Sequence, residues 1–250
     1  MTGSEIISQV FKPSMTVGQV YARPYGSAAL PMPIGNVLEL KLEHDEDVQT
    51  QEDMTHLGGG THAEVRRVKQ VKIMMKLADL NVVNLARAVL GTAMAVESGT
   101  IVGEAHVATL GGLVRLAHIQ PSTVVVKKGA VVVAAAGNYE VRAEGIYILP
   151  TAAVLLNADA ITVDYAYGAY AAIEALTTKA PELELTFGGL NEAESGKPVI
   201  VDIFRCSQGI TKTLALINKG FGALDVGGTV LLDPAKTGVG VSRFYKVSMG

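Results

Sequence analysis

The chain has 250 residues and a formal net charge of −3, and 49% of its residues are hydrophobic although only 5% are aromatic. The small negative charge argues against the broad basic surface that tight nucleic-acid binding requires. A membrane-spanning helix needs about 20 apolar residues in a row, and the short apolar run Gly129–Gly137 directly follows Lys127 and Lys128. The surplus of apolar residues is therefore expected in a dry core or in interfaces between subunits.

The start of the chain and its cysteine content predict a compartment. Met1 is followed by an acidic residue at Glu5, without a basic region and a long apolar run, so no secretory signal is predicted. Cys206 is the only cysteine, which excludes an intrachain disulfide and fits a reducing environment. We expect the protein to be made and kept in the cytoplasm, with Cys206 an inert thiol in the core.

Two strands are predicted in the first third of the chain. From Val37 to Glu43, leucines alternate with Glu39, Lys41 and Glu43, which is the period of a half-buried strand. From Gln70 to Leu77, apolar residues again occupy every second position. Both segments are predicted to place one apolar face on the core.

The segment between these strands, about residues 44–62, is acidic and contains no lysine or arginine as far as Gly60. It ends in three glycines, and this composition predicts a long mobile loop. A basic stretch follows directly, so opposite charges are expected to pair within or between subunits. The loop residues in question are Asp45, Glu46, Asp47, Glu52, Asp53, Gly58, Gly59 and Gly60, and the proposed charge partners are Arg66, Arg67 and Lys69.

One helix is predicted, at about residues 81–91. Asn81 or Asp79 caps a run in which apolar residues recur at helical spacing, and Gly91 ends it. The remaining chain consists of short β-rich pieces separated by glycine, proline and serine, followed by longer strands in the C-terminal half. Because strands and helices do not alternate, the sequence predicts a mainly β, antiparallel fold rather than a parallel sheet.

Glycine motifs give no sign of a cofactor site. The segment from Gly58 to Ala63 matches the glycine spacing of a dinucleotide fingerprint, which requires a strand before it and a helix after it. Here a loop precedes the glycines and a strand follows. Gly196 and Lys197 resemble the end of a phosphate-binding loop, but Pro198 stands where that loop needs a hydroxyl group.

Candidate metal ligands and catalytic groups are explained better by their positions in loops and strands than by a site. Two histidines and two carboxylates lie near the acidic segment, but without a recognised ligand spacing, so a solvated loop explains them better. Asp164 and Asp202 are interpreted as polar-face residues of two strands rather than paired carboxylates. The sequence thus predicts no catalytic, cofactor or metal site. The four residues near the loop are Asp53, His56, His62 and Glu64.

Several short sequence segments, spread over most of the chain, occur in a characteristic order. In the second half, a tyrosine-bearing strand, a glycine turn and a strand that ends in Tyr-Ala-Tyr are successive. These segments and their order resemble those of bacteriophage tail tube proteins, also called major tail proteins. They are Gly18–Arg23, the alternating hairpin with its acidic loop, Asn81–Gly91, Gly137–Val141, Gly145–Pro150, Ala160–Tyr167 and Leu185–Val199.

The resemblance implies a fold and an assembly. The expected fold is a single tail-tube domain over residues 1–250, an antiparallel β-sandwich or barrel with one flanking helix. The Val- and Ala-rich region 113–156 departs from the family and is interpreted as an inserted β-hairpin subdomain on the outer wall. Such proteins form hexameric rings that stack into a hollow tube, in which sheets of neighbouring subunits join.

The same resemblance implies a structural virion protein without catalysis or a cofactor, assembled in the host cytoplasm and located in the tail. Glu39, Lys41 and Glu43 are expected to face the lumen, where DNA passes without specific binding, and the acidic loop is expected to reach the adjacent ring. Expected partners are further copies, a tape-measure protein, terminator and baseplate proteins and, where the tail is contractile, a sheath protein.

Two alternatives stay open at this point. Another virion β protein, such as a head-decoration or tail-terminator subunit, shares the strand content and the tendency to oligomerise. A soluble β-rich enzyme or binding module belongs to a different class, and the missing aromatic platforms and catalytic groups argue against it.

Overall fold

A computed structural model describes residues 13–250. The fold is mainly β, with 53% of residues in strands and 4% in helices, and its sheets are antiparallel, which confirms the predicted class. Within the described range no helix is both long and apolar enough to cross a bilayer. The residues from which the absence of a secretory signal was predicted lie outside the described range.

Two compact units make up the chain. Unit 1 comprises the chain up to Ala93 and again from Ile173 to Gly250, and unit 2 comprises Met94–Ala172. The first elements are strands β1 (Thr16–Pro24), β2 (Met32–Pro33), β3 (Val37–Glu52) and β4 (Thr61–Leu77), helix α1 (Val82–Ala88) and strand β5 (Thr92–Val96).

The remaining strands follow in chain order. The middle of the chain contains β6 (Gly99–Val107), β7 (Leu113–Arg115), β8 (Ser122–Lys128), β9 (Val131–Val133), β10 (Tyr139–Arg142), β11 (Gly145–Ile148), β12 (Ala160–Tyr167) and β13 (Tyr170–Glu174). The last part contains β14 (Glu182–Asn191), the 3₁₀ turn Glu192–Glu194, β15 (Lys197–Gln208), β16 (Leu224–Val230) and β17 (Tyr245–Met249).

Unit 1 is built on one eight-stranded sheet, in the order β2-β1-β14-β15-β16-β4-β3 with β17 beside β15. The long strand β15 pairs with β17 near its start, from Val199 to Ile203, and with β16 at its end, from Cys206 to Gln208. The sheet therefore divides along β15. It stays open at β2 and β3, so it is consistent with a β-sandwich and is not a closed barrel.

Burial in unit 1 follows the predicted alternation, with one exception. Val71, Ile73, Met75 and Leu77 of β4 are buried in the core, as their period-two spacing predicts. Leu40 and Leu42 of β3 pack against this core, whereas Leu38 is exposed. The ladder shifts register between residues 37 and 39, and this irregularity takes Leu38 off the face that the alternation assigned to it.

The acidic segment differs from the predicted loop. Strand β3 continues to Glu52 and β4 begins at Thr61, so only residues 53–60 connect the strands and the predicted loop at 44–62 is wrong in extent. From Glu46 to Glu52 every residue is exposed. A strand with two solvated faces has no apolar alternation, which is the signal that identifies strands in a sequence.

Helix α1 begins where the sequence predicts and ends earlier. The Asn81 side chain caps it by accepting a hydrogen bond from the amide of Asn84 at 2.8 Å. At the other end Leu90 adopts a left-handed conformation, with φ of 49°, and the amide of Gly91 donates to the carbonyl of Ala86 at 2.7 Å. This Schellman arrangement ends the helix before Gly91.

Unit 2 has its own core between two small sheets, in the orders β6-β12-β8-β9 and β10-β11-β7. Its centre is apolar, and Ile146, Ile148 and Val163 are fully buried in it. The predicted inserted segment 113–156 lies within this unit, which also contains the pair β6 and β12 on either side of that segment. Where the chain leaves unit 1 and returns to it, β5 pairs with β13.

We predict that Ile146→Ala destabilises unit 2 by about 2–5 kcal/mol, since it removes a fully buried side chain and leaves a cavity. Urea unfolding followed by circular dichroism measures the loss. Val102→Ala is the matched control, because Val102 is exposed in the same unit, and its effect should stay within about 0.5 kcal/mol. Equal effects of the two substitutions would contradict the assigned core.

Candidate functional site

The hairpin of β3 and β4 is the most unusual feature of unit 1. The two strands pair from Val37 opposite Leu77 to Glu52 opposite Thr61. At the base alternate side chains reach the core, but residues 46–52 and 61–69 are exposed on both faces. We call residues 46–69 the distal hairpin. A two-stranded ribbon without a buried face is marginally stable in water, so this segment is a candidate contact surface.

Opposite charges face each other across the distal hairpin and at its root. Lys72 lies 2.6 Å from Asp45, and Arg66 lies 3.2 Å from Glu46. Arg67 is opposite Asp47 in the ladder, and Lys69 is the residue that the register shift skips. Exposed ion pairs contribute little stability. These pairs therefore help to select the register of the two strands but add little to the stability of the hairpin.

Glu39, Lys41 and Glu43, the predicted lumen residues, lie at alternate positions of β3 and are exposed. Glu39 and Lys41 form an ion pair whose hydrogen bond lowers the pKa of Glu39 and raises that of Lys41. The ladder places Lys72 opposite Glu43 and Lys76 beside Glu39. This face therefore carries balanced charge, which gives it little attraction for phosphate.

The turn at residues 53–60 is well defined. The Asp53 carboxylate accepts hydrogen bonds from the amide and hydroxyl of Thr55, at 2.8 and 2.5 Å, and the hydroxyl bond is the larger cause of its lowered pKa. The amide of Asp53 donates to the carbonyl of Gly60 at 2.7 Å. The three glycines all have positive φ, which closes the turn at little steric cost.

This turn presents two apolar side chains to solvent. Met54 is 85% exposed and Leu57 is fully exposed. Sequence reasoning selected the acidic residues and glycines here and missed these two, because single apolar residues in a polar segment have no period. We call residues 53–60 the hairpin tip.

A second apolar surface lies at the opposite end of the hairpin. Here a cavity of about 730 Å³ is bounded by the ends of β3 and β4 and by the segment 209–223 that joins β15 to β16. Leu38, Leu80 and Leu214 line the cavity together with Leu216 and Phe221, both of which are exposed. An apolar surface of this kind marks a site of interaction. We call it the base cavity.

Unit 2 contains a polar and aromatic cluster that sequence reasoning missed. The Glu104 carboxylate accepts hydrogen bonds from the Tyr165 hydroxyl at 2.5 Å and from the amide of Ala117 at 3.0 Å, and it lies 2.7 Å from the His106 ring. Burial, followed by the bond to Glu104, raises the pKa of Tyr165 to about 12. The cluster thus holds the turn after β7 against β6 and β12.

The same turn places His118 parallel to the Tyr167 ring, with centroids 3.6 Å apart. Its ring also lies 3.1 Å from the Tyr170 hydroxyl. These histidines and tyrosines are distant in sequence, so only the pairing of β6 with β12 could have revealed the cluster. Its members bind each other, which fits a role in holding the fold. Within residues 13–250 no three metal-ligating side chains are grouped.

The other residues singled out in the sequence have local structural partners. Cys206 is buried, and burial raises the pKa of its thiol to about 12, so it stays protonated and unreactive. Asp164 lies 2.5 Å from Lys127, and Asp202 accepts a hydrogen bond from Thr186 at 3.1 Å. Strand β4 begins at Thr61, so the glycines at 58–60 precede a strand, as the sequence predicts.

Comparison with known proteins places the chain in a family. The model of the family described as "Protein of unknown function UCP028589" matches residues 13–248. The chain belongs to this family. The UCP028589 match includes both units and the whole hairpin, so the features described above lie within the family region. No curated protein matches the chain. The family description assigns no activity.

We predict an acid-sensitive contribution of Asp164 to the stability of unit 2. Hydrogen bonds from Lys127 and then from the amide of Gly103 lower the pKa of Asp164 in the folded state. A depressed carboxyl pKa stabilises the fold above the unfolded value of about 3.9, and this contribution is lost as the pH falls through the folded value.

Asp164→Asn should therefore lower the melting temperature at pH 7 and flatten its dependence on pH between about 5 and 3. Thermal unfolding across this range is the measurement. Glu144→Gln, which alters an exposed carboxylate of the same unit, is the control and should follow the unsubstituted chain. Parallel curves for all three proteins would show that the Asp164 contact contributes nothing.

Proposed function

We propose that this protein is a structural subunit of a bacteriophage tail tube, which polymerises as stacked hexameric rings around a channel for DNA. The observation that carries the proposal is the long hairpin whose outer half has two solvated faces. Such an element is marginal in an isolated subunit, and contact with a neighbouring copy would cover it. The sequence segments that resemble those of tail tube proteins, and occur in the same order, support the same function.

Open sheet edges support joining within a ring. Strand β3 ends the sheet on one side. On the other side β2 pairs with Tyr21 and Ala22 of β1, the amide of Ile34 donates to the carbonyl of Val20, and within residues 13–250 no strand pairs with Thr16–Gln19 on that side. Long open edges are an aggregation hazard in a monomer, but they become the joint when an adjacent copy extends the sheet. Repeated head-to-tail contacts of this kind generate a ring when the rotation closes.

The charge on β3 suits a surface along which DNA slides. In the proposal Glu39, Lys41 and Glu43 line the channel. Their charges are balanced by each other and by lysines of β4, and the whole chain is weakly acidic. Tight phosphate binding needs a cluster of unpaired cations that displaces counterions. This face carries no such cluster of cations, so in the proposal DNA passes along it without binding.

The distal hairpin then provides the contact between rings. It extends beyond the core and carries exposed charges of both signs, which are available to groups of opposite charge on another protein surface. In this proposal the subunit is located in the virion tail and is assembled in the host cytoplasm. Its partners are further copies, a tape-measure protein, the terminator and baseplate proteins and, in a contractile tail, a sheath protein.

We predict that the purified protein forms long hollow tubes visible by negative-stain electron microscopy. A shortened variant, in which an Asn-Gly turn replaces residues 48–66 between Asp47 and Arg67, should fold but form no tubes. Asp47 and Arg67 are opposite each other in the ladder, so a two-residue turn closes the shortened hairpin. Circular dichroism and thermal unfolding serve as the folding control.

The images also separate the competing functions. Closed rings or trimers from the unsubstituted protein would favour a head-decoration or tail-terminator subunit. Normal tubes from the shortened variant would show that the hairpin is not the stacking element. A protein that stays monomeric at every concentration would overturn the proposed function.

A further inference from the structure

The hairpin tip and the base cavity lie at opposite ends of one strand. Thr61, the first residue of β4, directly follows the tip, and Leu77, its last residue, lines the cavity. An extended strand rises about 3.3 Å per residue, so the two ends are about 50 Å apart. A chain therefore cannot place its own tip in its own cavity. Any contact between them joins two copies.

The two surfaces match in hydrophobicity. The tip presents Met54 and Leu57, both exposed and held on a closed turn by the bonds of Asp53. The cavity presents Leu216 and Phe221 around an open volume of about 730 Å³. This volume falls within the range of pockets that enclose a compact apolar group. Insertion would remove apolar area from water on both sides.

The segments that carry the two surfaces differ in charge. The chain that leads into the tip is acidic and includes Glu52 beside Asp53, with no lysine or arginine from Glu43 to Gly60. The segment 209–224, which forms one side of the cavity, contains Lys212 and Lys219 and no aspartate or glutamate, whereas the lining on the other side includes Asp79. Opposite charge beside an apolar contact steers association, so the acidic end of the tip is expected on the side of the two lysines and away from Asp79.

We propose that the hairpin tip of one copy inserts Met54 and Leu57 into the base cavity of a second copy. This inference rests on the proposed function and names the receiving surface for the hairpin. Because the tip and the cavity are different surfaces, the contact is heterologous, and each copy both donates a tip and accepts one. Such a contact does not end at a dimer. It continues from copy to copy in one direction and gives the assembly a polarity.

Cysteine cross-linking tests the contact directly. A Leu57→Cys variant is mixed with a Leu216→Cys variant under mild oxidation, and cross-linked dimers are measured on non-reducing gels. The buried native thiol of Cys206 gives little background. We expect at least a tenfold excess of dimer over the control mixture of Leu57→Cys with Val102→Cys, an exposed position in unit 2. Equal yields in the two mixtures would overturn the inference.

A charged substitution tests the energetic role of the contact. Leu57→Asp should raise the protein concentration required for assembly at least tenfold, as measured by sedimentation, and Phe221→Asp should do the same from the other side. Val102→Asp is the control and should assemble as the unsubstituted protein does. Circular dichroism confirms that each variant folds, which is expected because all three side chains are exposed.

These results distinguish the inference from the proposed function. If the unsubstituted protein assembles and both the tip and cavity variants assemble equally well without the cross-link, the cavity is not the receptor and the tube proposal stands. If the unsubstituted protein never assembles, both proposals fail. Saturation of the cavity by a small apolar molecule or another protein, with self-assembly unaffected, would assign the cavity a different occupant.

Discussion

The pairing of β4 with β16 is the interaction on which the rest of unit 1 depends. It extends from Val71 to Leu77, and over these residues β4 lies between two strands with alternate side chains in the core. Beyond Val71 the strand continues with β3 as its partner. One strand is therefore anchored at one end and solvated at the other. This places an extended ribbon on a rigid base and leaves the apolar surface of the base cavity beside the anchored end.

The sequence predicts those parts of the fold in which one face of an element is buried. The buried residues of β4 and the cap at Asn81 were correctly identified, because period-two alternation and capping side chains are local signals. The outer hairpin was predicted as a loop, since its solvated faces carry no alternation. The end of α1 was misplaced because Leu90, rather than a glycine, takes the left-handed position. At this end the amides of Leu176 and Thr178 donate to the carbonyls of Val89 and Leu90, and these partners are distant in sequence.

The candidate surfaces were only partly predictable for the same reason, since local patterns reveal elements that have one buried face. The acidic residues and glycines of the hairpin were identifiable by composition, but Met54, Leu57 and the apolar residues of segment 209–223 were not, because exposed apolar side chains have no pattern of their own. The cluster around Glu104 depends on paired strands whose residues are far apart in sequence, 61 positions in the case of Glu104 and Tyr165. Local sequence reasoning does not reach contacts of that range, and only the sheet topology supplies them.

The uneven burial along the hairpin bears on the kinetics of the proposed assembly. Segments with few buried contacts open locally at low free energy, while those tied to a core open only with global unfolding. The outer ribbon is therefore expected to fluctuate in a free subunit, and in the proposed assembly its first docking would also have to supply the free energy of ordering it. In the proposed assembly, a docked ribbon would present an ordered surface to the next copy. In the proposed tube, initiation would then be slow relative to growth, which would keep newly made subunits apart until a starting platform exists.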